Sequence, residues 1–232
     1  DMQAYKHSLA QRLDPTAAMI QRVQTLVRRS PKCIVFAEGE EPSVIRAAYA
    51  FQESGLGRAV LIGREDLVRA NMAQVGVPGN AKLNIVNARL SEHNALYADY
   101  LYKRLQRFGL LYRDVQRLVN QDRNVFGACM VALGHAEGMV TGVTRNFATA
   151  LDDVLRVIDP ARGERAMGMS IILSKGRTLF VADTSVAEFP GAEEMAQIVL
   201  QAAAMAKQFG VTPRVALVSH STFGNPKMER SE

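Results

Sequence analysis

A three-layer α/β/α fold on a mostly parallel sheet, divided into two subdomains, is what this 232-residue sequence predicts. Three observations lead there. CIVFAEG, RAVLIG and KLNIV are short, nearly continuous apolar runs, the pattern of strands buried on both faces. Each is followed by an amphipathic segment of helical period, and that alternation reads as βαβ units. Past residue 147 the alternation gives way to a hairpin pattern, which places the boundary there. The expected division is connector helices over 1–30, a first α/β/α subdomain over 31–146, and a second over 147–232 that is incomplete at its carboxyl end.

The elements follow in order. Residues 3–12 and 15–29 read as two helices, the second begun by Asp14-Pro15 and ending in Arg28 and Arg29 at its negative end. After CIVFAEG, Pro42 starts a helix whose Val44, Ile45, Ala48 and Phe51 point inward until Gly55 stops it. RAVLIG is followed by the helix EDLVRANMAQVG. KLNIV leads to a Ser91-capped helix through Phe108, with Tyr97, Leu101, Leu105 and Phe108 on its buried side. Helices near 112–120 and 124–133 come next. Met139 and Val140 then read as a short strand running into Thr141-Gly142. AMGMSIIL and RTLFVAD form a hairpin through Ser174-Lys175-Gly176. Pro190 starts a long helix with Glu193 and Glu194 in its first turn, Lys207 near its last and Gly210 after it. VALVSHSTFGNP supplies another buried strand ending in a small polar loop, the place where α/β folds put ligands.

Composition excludes several classes. Lys and Arg number 28 against 23 Asp and Glu, a net charge of +5, but the basic residues are scattered and form no basic-aromatic groove, so nucleic acid is not the expected partner. The excess suits a polyanionic small molecule such as a nucleotide or coenzyme A. No apolar run has the length of a membrane helix, and the first residues lack the order of a signal peptide, so a cytoplasmic protein without a membrane partner is expected. Cys33 and Cys129 read as buried free thiols. The four histidines form no metal motif.

The candidate chemistry lies in GMVTGVTRNFATALDDVLRVI, residues 138–158. A strand ending in Thr141-Gly142 before a helix start is an anion site in waiting, because free amides and the positive helix end point the same way. Asn146 caps the helix. Phe147, Leu151, Val154, Leu155 and Ile158 form its core-facing stripe, with Thr149, Asp153 and Arg156 facing elsewhere. Arg145 is either a cation for a bound anion or a solvated surface arginine.

IVFAEGEEPSVIRAA, AVLIG, GMVTG and LFVADTSVAEFPGAEEMAQIVLQAAAMAKQFGVTPRVALVSHSTFG, in this order over residues 31–224, resemble the phosphate acetyl/butyryltransferase family. DMQAYKHSLAQRL and SHSTFG most resemble the carboxyl-terminal phosphotransacetylase-like domain of bacterial multidomain NADP-dependent malic enzymes. The resemblance implies isocitrate-dehydrogenase-like paired subdomains, a coenzyme A cleft between them and self-association as a dimer or higher homo-oligomer. It implies acetyl-CoA or a related acyl-CoA as allosteric effector. It also implies a malic catalytic domain in cis, which would carry NADP and a divalent metal and oxidatively decarboxylate malate to pyruvate.

The expected ligand set, read from these loops with weight added by the resemblance, is Thr141, Gly142, Arg145, Asn146, Ser219, Ser221, Thr222 and Gly224, with His220 a spacer. Asp183, Glu38 and Gly39 read as loop-shaping residues. No catalytic residue is carried over, for two reasons. Active phosphotransacetylases have an Arg-Pro in the helix after this loop, and that arginine position falls on Asp152, while the loop's threonines give way to Asn146 and Phe147. A carboxylate repels the anion that a guanidinium would hold. The family's late Ser-Arg and Asp also lie outside this sequence. Asp152 has a plain alternative reading as a partner for Arg156 one turn on. A non-catalytic regulatory domain is therefore expected, the alternative being an active acetyl- or butyryltransferase.

Overall fold

The computed structural model describes residues 2, 5, 15–174 and 177–218. Helix α1 spans Pro15–Arg29 and closes on Arg28 and Arg29, as the helix dipole favours. The chain divides into two compact units: Ile20–Asp159, and Asp1–Met19 together with Pro160–Glu232.

The first unit alternates strand and helix. Its elements are β1 (Lys32–Phe36), α2 (Pro42–Glu53), β2 (Gly57–Ile62), α3 (Glu65–Gln74), β3 (Asn84–Val86), α4 (Asn94–Leu105), α5 (Tyr112–Gln121), α6 (Arg123–Ala132), β4 (Gly138–Val140) and α7 (Phe147–Leu155). The four strands are parallel in the order β3-β2-β1-β4. Because successive strand residues face opposite ways, β2 divides its side chains between two cores. Ala59 and Leu61 pack with Phe36, Ile45, Val68 and Met72. Val60 and Ile62 join Val35, Tyr97, Leu101, Val115 and Phe126. The result is the expected α/β/α sandwich, with β1 at its centre.

Close approach decides one glycine. Gly39 follows β1, donates its N–H to Ile62 O at 3.0 Å, and has no room for a Cβ. Such an atom would lie 2.8 Å from Ile62 O and 2.8 Å from Leu61 Cβ. Gly39→Ala is therefore expected to lose about 2 kcal/mol through overpacking against backbone, read as a lower urea midpoint at unchanged slope.

The second unit contains the antiparallel hairpin β5 (Met169–Ser174) and β6 (Arg177–Ala182), then α8 (Ala192–Gln208). Phe180 meets Phe209 at a ring separation of 5.6 Å, and Arg165 pairs with Glu194 at 2.6 Å. Asp183 holds the loop after β6 as expected. Its carboxylate accepts the N–H groups of Gly168, Ser185, Val186 and Ala187. Burial pushes its carboxyl up, but these bonds outweigh that and leave it below the ordinary aspartate value.

Several expectations are corrected. Helix α8 begins at Ala192, with Gly191 as its cap and the Gly191 N–H held by Glu194 at 3.0 Å, so Pro190 precedes it. Phe108 is exposed beyond the end of α4, in a 3-10 turn over Gln106–Phe108 that shifts the helical phase. Ser91 accepts the His93 N–H but lies too early to cap α4. Residues 215–218 form no strand, and Val215, Leu217 and Val218 are exposed. A buried strand needs a neighbouring ladder, and in this unit the described ladder is the hairpin alone. Lys175, Gly176 and the loop from Ser219 onward lie outside the described residues, as does most of the 3–12 helix.

The first compact unit runs to Asp159, so α7 belongs with it and the observed division lies thirteen residues past the sequence boundary at 146. The reason is packing: Val157 lies in the first unit's core, Tyr100 donates to Val157 O, and Arg104 grips Asp159 with two bonds of 2.7 and 2.8 Å. Cys33 and Cys129 are buried free thiols, and burial pushes Cys129 up to about 12. No helix among the described residues is long and apolar enough to cross a membrane.

Candidate functional site

The sheet order has a topological switch between β1 and β4. The chain leaves β1 toward β2 on one side, whereas β4 lies on the other, so the loops beyond the carboxyl ends of β1 and β4 diverge. Those loops carry Glu38 and residues 141–146.

Glu38 is 3% exposed, and its position is set by what it accepts. Its two carboxylate oxygens take the backbone N–H groups of Val143 and Thr144, each at 2.7 Å, and the Thr144 hydroxyl at 2.5 Å. Burial pushes its carboxyl up. The Thr144 hydroxyl and the loop amides outweigh that and hold it below the ordinary glutamate value. Two of the amides that sequence alone offers to an anion therefore already hold one. Gly142 sits at φ 103, a conformation glycine adopts freely, and turns the chain out of β4.

Beneath the loop runs a connected polar network. The Thr141 hydroxyl donates to Asn124 Oδ1 at 2.6 Å. Asn124 Nδ2, 1% exposed as a residue, donates to Asp153 Oδ2 at 3.2 Å. Arg145 Nη1 donates to that same oxygen at 2.6 Å and to Asp122 Oδ2 at 2.7 Å. Asp122 uses its other oxygen to cap α6, accepting the N–H groups of Asn124 and Val125. Burial pushes the Arg145 guanidinium down, but the two aspartates outweigh it and raise it above the usual arginine value. The loop is fixed from below by its own charges.

This settles where four expected ligand residues stand. Gly142 is exposed. Asn146 caps α7 through the Thr149 N–H at 2.9 Å, as expected. Thr141 is tied to Asn124. Arg145 is neither a free cation nor a solvated surface residue, because its charge is balanced by Asp122 and Asp153. Ser219, His220, Ser221, Thr222 and Gly224 lie outside the described residues.

The expected face of α7 was out of phase. Ala150, Asp153 and Val157 are buried, while Phe147 and Leu155 are exposed. Asp152 is exposed, and Arg156 approaches Asp153 at 3.6 Å, so the expected Asp152–Arg156 pair is absent among the described residues. Sequence reasoning missed Asp122, Asn124 and Asp153. The first carried a readable signal as a capping aspartate before Arg123, and the third stands at helical spacing from Ala150 and Val157.

Chemically, the arrangement presents a stiff loop with few open donors. Among the described residues these include the first-turn amides of α7 at Phe147 and Ala148, since the Asn146 cap takes the Thr149 N–H. Among the described residues no group of three or more His, Cys, Asp or Glu side chains is disposed to hold a metal ion.

Comparison with known proteins agrees with this architecture. The chain is 54% identical over its whole length to an NADP-dependent malic enzyme of Rhizobium meliloti, of which it covers 31%. It is 32% identical over 91% of its length to a phosphate acetyltransferase of Nitrosomonas europaea, covering 30% of that protein. The chain thus spans about a third of the curated relatives it matches. A phosphotransacetylase structure from Streptococcus pyogenes superposes with a TM-score of 0.81 at 24% identity, over 92% of this chain and 65% of that one, and shares the fold. The model of the family described as phosphate acetyl/butaryl transferase matches residues 18–232. From these matches and the sandwich that carries the loop, the chain belongs to the phosphate acetyl/butaryl transferase family.

Proposed function

We propose that this chain is a non-catalytic, phosphotransacetylase-like regulatory domain of an NADP-dependent malic enzyme that binds acetyl-CoA, or a related acyl-CoA, as allosteric effector. The observation that carries this reading is the charge arrangement of the loop after β4. The position where the resemblance calls for a phosphate-binding arginine holds the exposed Asp152, and Arg145 is held between Asp122 and Asp153. Of the two arginines in residues 138–158, Arg145 is paired with Asp122 and Asp153, and Arg156 lies 3.6 Å from Asp153. The open first-turn amides of α7 and the glycine at 142 still suit a coenzyme phosphate.

Regulation then follows from linkage. The effector shifts the joined catalytic domain, which on this reading holds NADP and a divalent metal in cis, only as far as its affinity differs between the two states. The 54% identical malic enzyme, of which this chain is a part-length match, supports that partner. Exposed Ile172, Leu179 and Leu200 in the second unit support self-association.

The test is a titration of acetyl-CoA into the full-length parent with malate oxidation followed in parallel. Saturable binding that lowers the malate rate is expected. Absence of binding, or binding without effect on the rate, contradicts the proposal. The active-transferase alternative has in its favour the 32% identity to a phosphate acetyltransferase, and acetyl-phosphate formation separates the two.

A further inference from the structure

Away from the loop after β4, two cavities meet at the amino-terminal edge of the first unit's sheet. One, of about 570 Å³, is lined by Lys32, Arg58, Lys82 and Glu137. The other, of about 550 Å³, is lined by Asn84, Asn87, His93, Tyr97 and His135. Cys33 and Arg58 line both. Strand register brings the backbones together, with Lys32 paired to Gly57 and Cys33 to Arg58 at the first rungs of β1 and β2 and Lys82 two residues before β3, while Lys32 and Arg58 leave opposite faces of the sheet at its edge.

The two cavities differ in chemistry. Among the described residues no carboxylate forms an ion pair with Lys32, Arg58 or Lys82. Glu137, the one carboxylate lining that cavity, is engaged with the Cys33 N–H at 2.7 Å. With Glu92, which lines the second cavity, three cations face two carboxylates across the pair, an excess of one positive charge that favours a phosphate-bearing group.

The second cavity has an ordered aromatic wall. Tyr97 is fully buried, its hydroxyl 2.6 Å from His135 Nδ1. His93 lies against His135 at a ring separation of 4.5 Å and stacks on Tyr97 at 5.7 Å. Flat rings beside two carboxamides suit a planar heterocycle with a hydrogen-bonding edge.

We propose that this edge is a binding site for a nucleoside diphosphate group, its phosphates among Lys32, Arg58 and Lys82 and its base against His93 and His135. The same group occurs as a free nucleotide and as the nucleotide end of coenzyme A. The site is separate from the loop after β4, so it stands or falls independently of the regulatory reading.

Calorimetric titration of the full chain with ADP, inorganic pyrophosphate and coenzyme A tests it. ADP is expected to bind more tightly than pyrophosphate, and less tightly as salt rises to about 0.5 M. The double variant Lys32→Glu/Arg58→Glu, at exposed positions that leave the fold intact by circular dichroism, is expected to weaken ADP about tenfold. His93→Ala should erase the preference for ADP over pyrophosphate. Displacement of ADP by coenzyme A identifies the coenzyme as the source, and failure to displace it identifies a free nucleotide; either supports the site. No saturable ADP binding, or equal binding by the charge-reversed variant, overturns the proposal. Acetyl-CoA inhibition of malate oxidation that persists in that variant leaves the regulatory proposal standing.

Discussion

Arg145→Met is expected to cost the first unit about 3 kcal/mol of unfolding free energy, a large share of a typical domain's margin of about 5 to 15 kcal/mol. Arg145 Nη1 is the cation shared by Asp122 Oδ2 and Asp153 Oδ2, and Asp153 is only 4% exposed. Removing the guanidinium leaves Asp122 with no ion-pair partner among the described residues and Asp153 with only Arg156, 3.6 Å away. Asp153→Asn should cost less, because Arg145 keeps Asp122 and an asparagine oxygen can still accept from Asn124 Nδ2. The double variant should recover part of the loss, with a coupling of about 1 to 3 kcal/mol in a cycle. Asp152→Asn, one residue away and exposed, should change stability by less than about 0.5 kcal/mol. Urea unfolding of the four variants measures all of this, and equal effects at 152 and 153 would contradict the assignment of the buried face of α7.

Glu38→Ala is expected to cost about 3 kcal/mol as well, because it strands the Val143 and Thr144 amides and the Thr144 hydroxyl. Faster hydrogen exchange at those two amides is the local readout. The pH dependence has a definite sign. The Glu38 carboxyl is lowered from 4.5 in the folded state, so the native state binds its proton less readily than the unfolded chain. Its contribution is therefore fully present above pH about 4.5 and is lost as pH falls through the lower folded value. Glu38→Gln lacks this titration. The stability gap between wild type and Glu38→Gln should accordingly be largest near pH 6 and shrink below pH 4.5.

The sandwich was legible in the sequence because its signals are local and redundant. CIVFAEG and RAVLIG are apolar on both faces, and each is followed by a helix whose phase is marked by Val44, Ile45 and Ala48 or by Val68 and Met72. The network under the loop was not legible, because it joins residues far apart in the chain. Glu38 reaches Val143 across 105 positions, and Asn124 reaches Asp153 across 29. Helical periodicity treats an aspartate as solvent-facing, so Asp153 was given the outer face. It lies on the inner one because Arg145, Asn124 and the nearby Arg156 compensate its charge there. The strand expected at 215–218 failed for a related reason. Apolar alternation announces a strand only when another strand stands beside it.

One assay bears most directly on the claim that this loop holds an effector without reacting it: acetyl-phosphate formation from acetyl-CoA and inorganic phosphate by the full-length parent. With Arg145 committed to Asp122 and Asp153 and an aspartate at 152, no rate above the uncatalysed background is expected at saturating concentrations of both. Turnover at the 1 to 1000 per second common to enzymes, roughly speaking, would contradict the account and return the chain to the acyltransferases.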